Sequence, residues 1–304
     1  MIAALAPEVN FHKCVSDNEN EHAASLKNHE FIWLEWGNEL AVALTNNYPD
    51  LLRGKRVIVR IHRYEMYNGL AEKINYEVVD DVILVGRYMR DVFLRKCAPK
   101  LPASCRVHAV PNGVDIRRFQ ARPEARRNGR RLASASFIQS IKNPMLMLHA
   151  FACLPESYPS YELHIAGKTQ EYILALGMNE FVRANRMHNR IFMYKWQDDM
   201  AAWLQDKDFY LSASVSESQG MSIMEAAACG LKPLVCNFPG ASSIYPGEFI
   251  WRNINELIRM AQAPREPERY RSFVENNYSL DLQASNLKRL ILDRHIIGPR
   301  DIIY

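Results

Sequence analysis

Ser214-Val-Ser-Glu217-Ser-Gln-Gly220-Met-Ser-Ile-Met-Glu225-Ala-Ala-Ala-Cys-Gly230-Leu-Lys-Pro-Leu-Val235 is the stretch on which the fold turns. It reads as a strand end, a loop, a helix, a glycine stop and a further buried strand. Glu217 stands just before the helix and Glu225 eight residues later, about two turns on. Gly220 and the free N–H groups of the helix start lie between them. Such an arrangement can hold a phosphate at the helix tip and sugar hydroxyls on the carboxylates. Two glutamates at this spacing also occur on ordinary solvated helix faces, so the whole string carries more than the pair.

Working outward, the same alternation of strand and helix recurs on both sides. Upstream, Phe31–Trp36, Arg56–Ile61, Val82–Val85 and Arg106–Val110 are short apolar runs suited to strands buried on both faces. Helical stretches near 38–47, 69–76 and 87–97 separate them. Residues 1–28 are polar, with Ser16–His22 as a loop or helix start. A second block places strands at Leu132–Ser136, Glu162–Ala166, Ile191–Tyr194, Phe209–Ala213 and Pro233–Cys236. Its helices are expected at 143–153, 170–185, 198–205, 220–229, 253–263 and 280–293. Two such blocks predict two α/β domains with parallel sheets, whose ligands sit beyond the carboxyl ends of the strands, by default in a cleft between the domains. The expected division is 1–114, a linker at 115–131, 132–280, and a final helix from 281 that crosses back to the first domain.

Composition narrows the class. With 304 residues, 48% of them hydrophobic and 24% charged, the chain resembles an ordinary globular protein of about two domains. A net charge of +4 favours anionic ligands only mildly and does not argue for nucleic acid. The six cysteines are scattered without metal-ligand spacing, which fits reduced thiols in the cytosol. The N-terminus lacks the charged start and long apolar core of a signal peptide. No apolar run approaches the roughly 18 residues a membrane crossing needs. Arg117, Arg118, Arg122, Arg126, Arg127, Arg130 and Arg131 crowd the linker. They are either a solvated connection or a patch for anionic lipid head groups at the inner membrane face or for an acidic acceptor.

Several pieces, in order, resemble the GT-B glycosyltransferases of the retaining family 4 type. They are Val110-Pro-Asn-Gly-Val-Asp115, Lys142-Asn-Pro, Leu163-His-Ile-Ala-Gly167, the segment with Glu217 and Glu225, and Lys232-Pro-Leu-Val. The resemblance spans about residues 30–295 and is strongest from 106 to 250. It implies an α/β GT-B architecture with a shortened first domain. It also implies transfer of a hexose from a UDP-, GDP- or ADP-sugar to a hydroxyl acceptor (a glycan, a lipid-linked sugar or a protein), with no metal or other cofactor.

The resemblance also assigns residues. Lys142 binds the donor phosphates, Gln219, Gly220 and Met221 offer backbone amides with Ser222 beside them, Glu217 holds the transferred sugar, and Glu225 takes the ribose hydroxyls. Gly167 makes the strand-end turn facing the nucleotide, and Lys195 helps frame the base. In the first domain His62, at a strand end, contacts the transferred sugar or acceptor. Arg63, Glu65 and Trp36 are weaker candidates on the acceptor or phosphate side, a surface salt bridge being the plain reading of the first two. Asp206-Lys-Asp208 joins a helix to a strand and reads as a turn, not a metal motif.

The chain departs from the family in two places. Many members carry Gly-Arg several residues before the lysine, where this chain has Ser136 and Phe137. One positive charge is therefore missing, to be replaced by Arg63 or another basic residue. The first domain lacks the usual glycine-rich opening turn, so its acceptor side is cut down or supplied by another chain or a further N-terminal segment. These departures keep a rival open: a non-catalytic GT-B-like binding or scaffold subunit. A third reading is a GT-B enzyme of another kind, a phosphorylase or a sugar-nucleotide epimerase.

Overall fold

The computed structural model describes residues 12–16, 18–121, 129–155 and 160–292. The chain divides into two compact units, one made of the residues up to Asn112 together with those from Asp281 on, the other of Gly113–Leu280.

In the first unit, helix α1 (Glu19–Lys27) precedes strand β1 (Phe31–Leu34). Helices α2 (Glu39–Asn47) and α3 (Pro49–Leu52) lead to β2 (Arg56–Ile61), and α4 (Arg63–Tyr67) follows it. Strand β3 (Asp81–Leu84), helix α5 (Arg87–Cys97) and strand β4 (Arg106–Ala109) complete a parallel sheet in the order β1-β2-β3-β4. Strand β2 is apolar throughout because both faces are covered. Val57, Val59 and Ile61 pack with Leu44, Leu52 and Phe93, while Ile58 meets Ala284, Leu287 and Leu290. Those last residues belong to α12 (Leu280–Leu292), so the final helix closes the second face of this sheet.

Fully buried Asp81 fastens that arrangement. Burial alone would raise its carboxyl, yet hydrogen bonds from His108 and Arg106 hold it below its ordinary value. Arg56 reaches Asp81 at 3.3 Å and donates to the Ile291 carbonyl at 2.7 Å, gripping the C-terminal turn of α12, where carbonyls lack partners within the helix.

Two expectations need correcting, and one open alternative is decided. Of a loop or a helix start at Ser16–His22 the structure has the helix start, with the Asn18 side chain accepting from the Asn20 amide to open α1. The helix expected at 69–76 is absent. Gly69, at φ +73°, breaks the chain after α4, and two short 3₁₀ turns follow at Ala71–Lys73 and Tyr76–Val78. The stretch from 115 is not simply a solvated linker. Phe119 is buried, its amide closing a turn on the Asp115 carbonyl. Arg131 opens a strand and bridges Glu162 and Asp206, each at 2.9 Å. Arg122, Arg126 and Arg127 lie outside the described residues.

The second unit holds β5 (Arg131–Ala135), α6 (Pro144–Ala152), β6 (Glu162–Ala166), α7 (Tyr172–Ala184) and β7 (Ile191–Tyr194). Then come α8 (Met200–Leu204), β8 (Phe209–Ser212), α9 (Met221–Ala228), β9 (Lys232–Cys236), β10 (Ile250–Trp251), α10 (Ile254–Gln262) and α11 (Pro267–Tyr278). Its parallel sheet runs β10-β9-β8-β5-β6-β7. The chain builds outward from β5 to β7, then returns to lay β8 on the other side of β5. That reversal lies at the carboxyl ends of β5 and β8, the point where open α/β sheets bind ligands.

Candidate donor-binding site

Two segments leave the sheet at this reversal. From β5 the chain passes Ser136 and Phe137 into a 3₁₀ turn, Ser140–Lys142, and then Asn143-Pro144. The proline ring disfavours right-handed helix in the residue before it. Asn143, one of the few residue types that tolerates the left-handed region, sits there at φ +47°. Pro144 then starts α6 where its missing N–H costs nothing. From β8 the chain passes Ser214, Glu217 and Gln219 to Gly220 and α9. The Val215 amide donates to the Ile141 carbonyl at 3.0 Å and stitches the two segments together.

Across that stitch, Lys142 Nζ donates to Glu217 Oε1 at 2.6 Å. The side chains are only 23% and 11% exposed, so the pair is held in a partly desolvated setting that strengthens it relative to a surface ion pair. In this structure the two residues satisfy one another.

Gly220 is required twice over. Its φ is +75°, and a Cβ there would come within 2.7 Å of Ile223 Cδ1 and 2.8 Å of the Tyr245 hydroxyl. No side chain caps α9, and the first amides of a helix, here those of Met221 and Ser222, have no acceptor within it. Tyr245 donates to the Gln219 carbonyl from inside the core. Tyr210, buried on β8, accepts from the Ala135 amide at 2.9 Å and lies 2.7 Å from Ser222 Oγ. These two tyrosines fix the mouth of α9 against the end of β5, and motif reading gave no sign of either.

Glu225 lies half-buried one turn into α9. Burial pushes its carboxyl up to about 7, with the charge of Arg118 pulling weakly the other way. Arg118, in turn, donates to the Asp198 carbonyl at 3.4 Å.

The remaining donor-side candidates line the neighbouring strand ends. A Cβ on Gly167 would fall 1.8 Å from the Ser136 carbonyl oxygen, so the chain after β6 can approach the end of β5 only as glycine. Lys195 is exposed after β7, separated from β5 by β6. Phe137, near the position where the resemblance places an arginine, stacks on Trp196 with ring centroids 5.6 Å apart. Asp206-Lys207-Asp208 is the expected turn between α8 and β8, with Asp208 fully buried. Among the described residues, no group of three or more His, Cys, Asp or Glu side chains is placed to hold a metal ion. No helix there is long and apolar enough to cross a membrane.

The first unit gathers its candidates separately, at the carboxyl ends of β1 and β2. Trp36 stacks on His62 at 4.1 Å between centroids. Glu35 accepts from Trp33 Nε1 at 2.7 Å and from Arg60 Nη1 at 3.2 Å, and lies 3.6 Å from His62 Nε2. Burial would raise the Glu35 carboxyl, but His62, Arg60 and Trp33 together hold it below its ordinary value. Arg63 is half-buried as the first residue of α4. Glu65 departs from the surface salt-bridge reading. It is fully buried and accepts from the His62 amide at 2.9 Å, which makes it a cap for the start of α4.

Comparison with known proteins agrees with the second unit's geometry. Residues 115–246 match the family model described as glycosyl transferases group 1. No curated protein matches the chain significantly. Among solved structures it is similar to Anabaena Alr3699/HepE in complex with UDP and glucose, at TM-score 0.75 and 14% identity over 90% of this chain and 81% of that one. It is similar to a glycosyltransferase from Rickettsia africae, at TM-score 0.71 and 17% identity over 97% and 88%. Sucrose-phosphate synthase from Thermosynechococcus elongatus gives TM-score 0.71 and 14% identity over 90% and 75%. At these identities the likeness concerns the fold. The chain thus has the GT-B fold, and residues 115–246 match the glycosyl transferases group 1 family.

Proposed function

We propose that this protein is a nucleotide-sugar glycosyltransferase, moving a hexose from a nucleoside-diphosphate sugar to a hydroxyl acceptor with retention of configuration. The observation that carries the reading is the Lys142–Glu217 pair at the β5/β8 reversal, beside the uncapped start of α9. An ammonium and helix-tip amides suit a diphosphate, and the paired carboxylate suits sugar hydroxyls. A neighbour crystallised with UDP and glucose supports a uridine donor, with GDP- and ADP-sugars as the other donors to try.

In the proposed reaction the bond from the sugar's anomeric carbon to the diphosphate oxygen breaks. A bond to the acceptor oxygen forms on the same face, and the acceptor proton passes to the departing phosphate oxygen. Lys142 and the amides of Met221 and Ser222 stabilise the charge that gathers on the leaving diphosphate. Glu217 and His62 hold the sugar in the reactive pose. Glu225 accepts from the ribose hydroxyls. The chain's own residues supply this chemistry without a metal. Cytoplasmic residence, with peripheral contact through the arginines of 117–131, belongs to the same proposal.

The test is release of nucleoside diphosphate from UDP-, GDP- and ADP-hexoses with a panel of hydroxyl acceptors, with product stereochemistry read by NMR. Inverted product removes the retaining mechanism. Binding of a nucleotide without turnover favours the scaffold reading, which Phe137 supports by standing near the position of a phosphate-gripping arginine. Phe137→Arg addresses that point directly. It is expected to tighten UDP binding about tenfold, the worth of one charge-assisted hydrogen bond, as measured by calorimetry.

A further inference from the structure

Trp36 is the residue of the first unit whose conformation most needs a reason. It holds φ +93°, a region that a bulky side chain enters at a cost of about 1–3 kcal/mol. The strained backbone is pinned by the Trp36 amide donating to the Arg60 carbonyl at 3.2 Å. The result is an indole backed on one face by the His62 ring and 48% exposed overall. Strained residues of this kind cluster at ligand sites, and the free face of the indole is the surface this one offers.

Glu35 supplies the polar half. Its carboxylate has about four acceptor sites: Arg60 and, at 3.6 Å, His62 face Oε1, and Trp33 donates to Oε2. The side chain remains 38% exposed, so the open site on Oε2 is within reach of a hydroxyl donor. An ionised carboxylate accepts only, and it repels anions. The ligand therefore has one apolar face and a rim of neutral hydroxyls, which is the description of an uncharged pyranose.

We infer that Trp36 and Glu35 form a shelf for a neutral pyranose ring, and that the acceptor of the proposed transfer is a sugar and not a serine or threonine of a protein. The C–H face of the ring lies on the free face of the indole, and a ring hydroxyl donates to Glu35. His62 backs the indole. As an acceptor assignment this rests on the transfer reading above, whereas the sugar shelf itself does not.

The experiment separates the two. The full chain, without donor, is titrated with methyl glucoside, galactoside and mannoside, with glycerol, and with a serine-containing peptide. Saturation-transfer NMR reports which protons touch the protein. The expected result is transfer confined to one face of a pyranoside, with none for glycerol or peptide. Trp36→Gly accepts the positive φ without strain and so preserves the fold. It should weaken sugar binding at least about tenfold, while Trp36→Tyr should stay within about threefold. Equal binding by Trp36→Gly, or no pyranoside binding to the parent protein, overturns the shelf. Sugar binding with no transfer from UDP-, GDP- or ADP-hexose to any acceptor of this panel leaves the shelf standing and removes both the acceptor assignment and the transfer reading. Transfer to peptide or glycerol alone does the reverse: it refutes the sugar acceptor and keeps the transferase.

Discussion

Lys142→Ala should lower turnover of the nucleotide sugar by a factor of about 100–1,000, the loss seen when one preorganised partner of a developing anion is removed. It should weaken nucleoside diphosphate binding as well. Glu217→Gln is the informative companion. Without ligand, Lys142 is engaged by Glu217 at 2.6 Å, so a diphosphate must first draw the ammonium away from its carboxylate. Glutamine frees the lysine at no cost in shape. Glu217→Gln should therefore bind UDP more tightly, by roughly fivefold if the partly desolvated pair is worth about 1 kcal/mol. It should nonetheless transfer sugar about 100-fold more slowly, because the carboxylate proposed to orient the hexose hydroxyls is gone. Calorimetry with UDP and a coupled assay of UDP release read the two effects. Parallel losses of UDP affinity in both variants would show that Glu217 holds Lys142 ready for the phosphate instead of competing with it.

The candidate site of the second unit is legible in sequence because its geometry constrains the backbone. Gly220 must take a positive φ, Gly167 must let two strand ends touch, and Asn143-Pro144 must turn the chain after Lys142 into α6. Each demand selects a residue type that motif reading recognises. The Lys142–Glu217 contact was not legible. It joins residues 75 apart in sequence and depends on β8 lying beside β5, a choice of strand order that no local pattern encodes. The same holds for Tyr210 and Tyr245, which look like core aromatics until their hydroxyls are seen tying α9 in place.

Elsewhere, misreadings follow from weak periodicity. Helix α11 went unforeseen because only Tyr270 and Val274 are buried in its Pro267–Tyr278 span, too few to mark a face. The stretch 69–76 looked helical from its composition, but Gly69 and the Asn75 side chain, which accepts from the Glu77 amide, favour turns. Glu65 looked like a surface charge because glutamates usually are. Its place three residues after His62, at the start of α4, was the signal of a cap. In the first unit the strand ends at Trp36 and His62 could be located, but not the φ of Trp36 that turns its ring outward.

Glu225→Gln should separate stability from donor binding, with opposite signs that depend on pH. The Glu225 carboxyl titrates near 7 in the folded protein against an ordinary value of 4.5, because burial penalises its charge. The sign follows from linkage. An acid whose folded pKa is raised favours folding only while protonated, so stability falls as pH rises from the unfolded value and levels off above the folded one. At about pH 8 the full penalty applies, about 1–3 kcal/mol for a partly relaxed site, and near pH 5 most of it is absent. Glutamine carries no such penalty. The variant should thus melt several degrees higher than the parent at about pH 8 and nearly level with it at about pH 5. Donor binding should move the other way. In the proposed donor site ribose hydroxyls donate to the ionised carboxylate, so affinity of the parent for UDP-glucose should rise between about pH 6 and 8 and then flatten. UDP-glucose suits this measurement because its diphosphate has no proton to lose in that range. Glu225→Gln should bind it roughly 10- to 100-fold more weakly at the higher pH, with the pH dependence abolished. A variant that is more stable yet still binds with the parent's pH profile would move the titration to another group and leave Glu225 an ordinary buried acid. Loss of both stability and binding would make it a structural residue of α9.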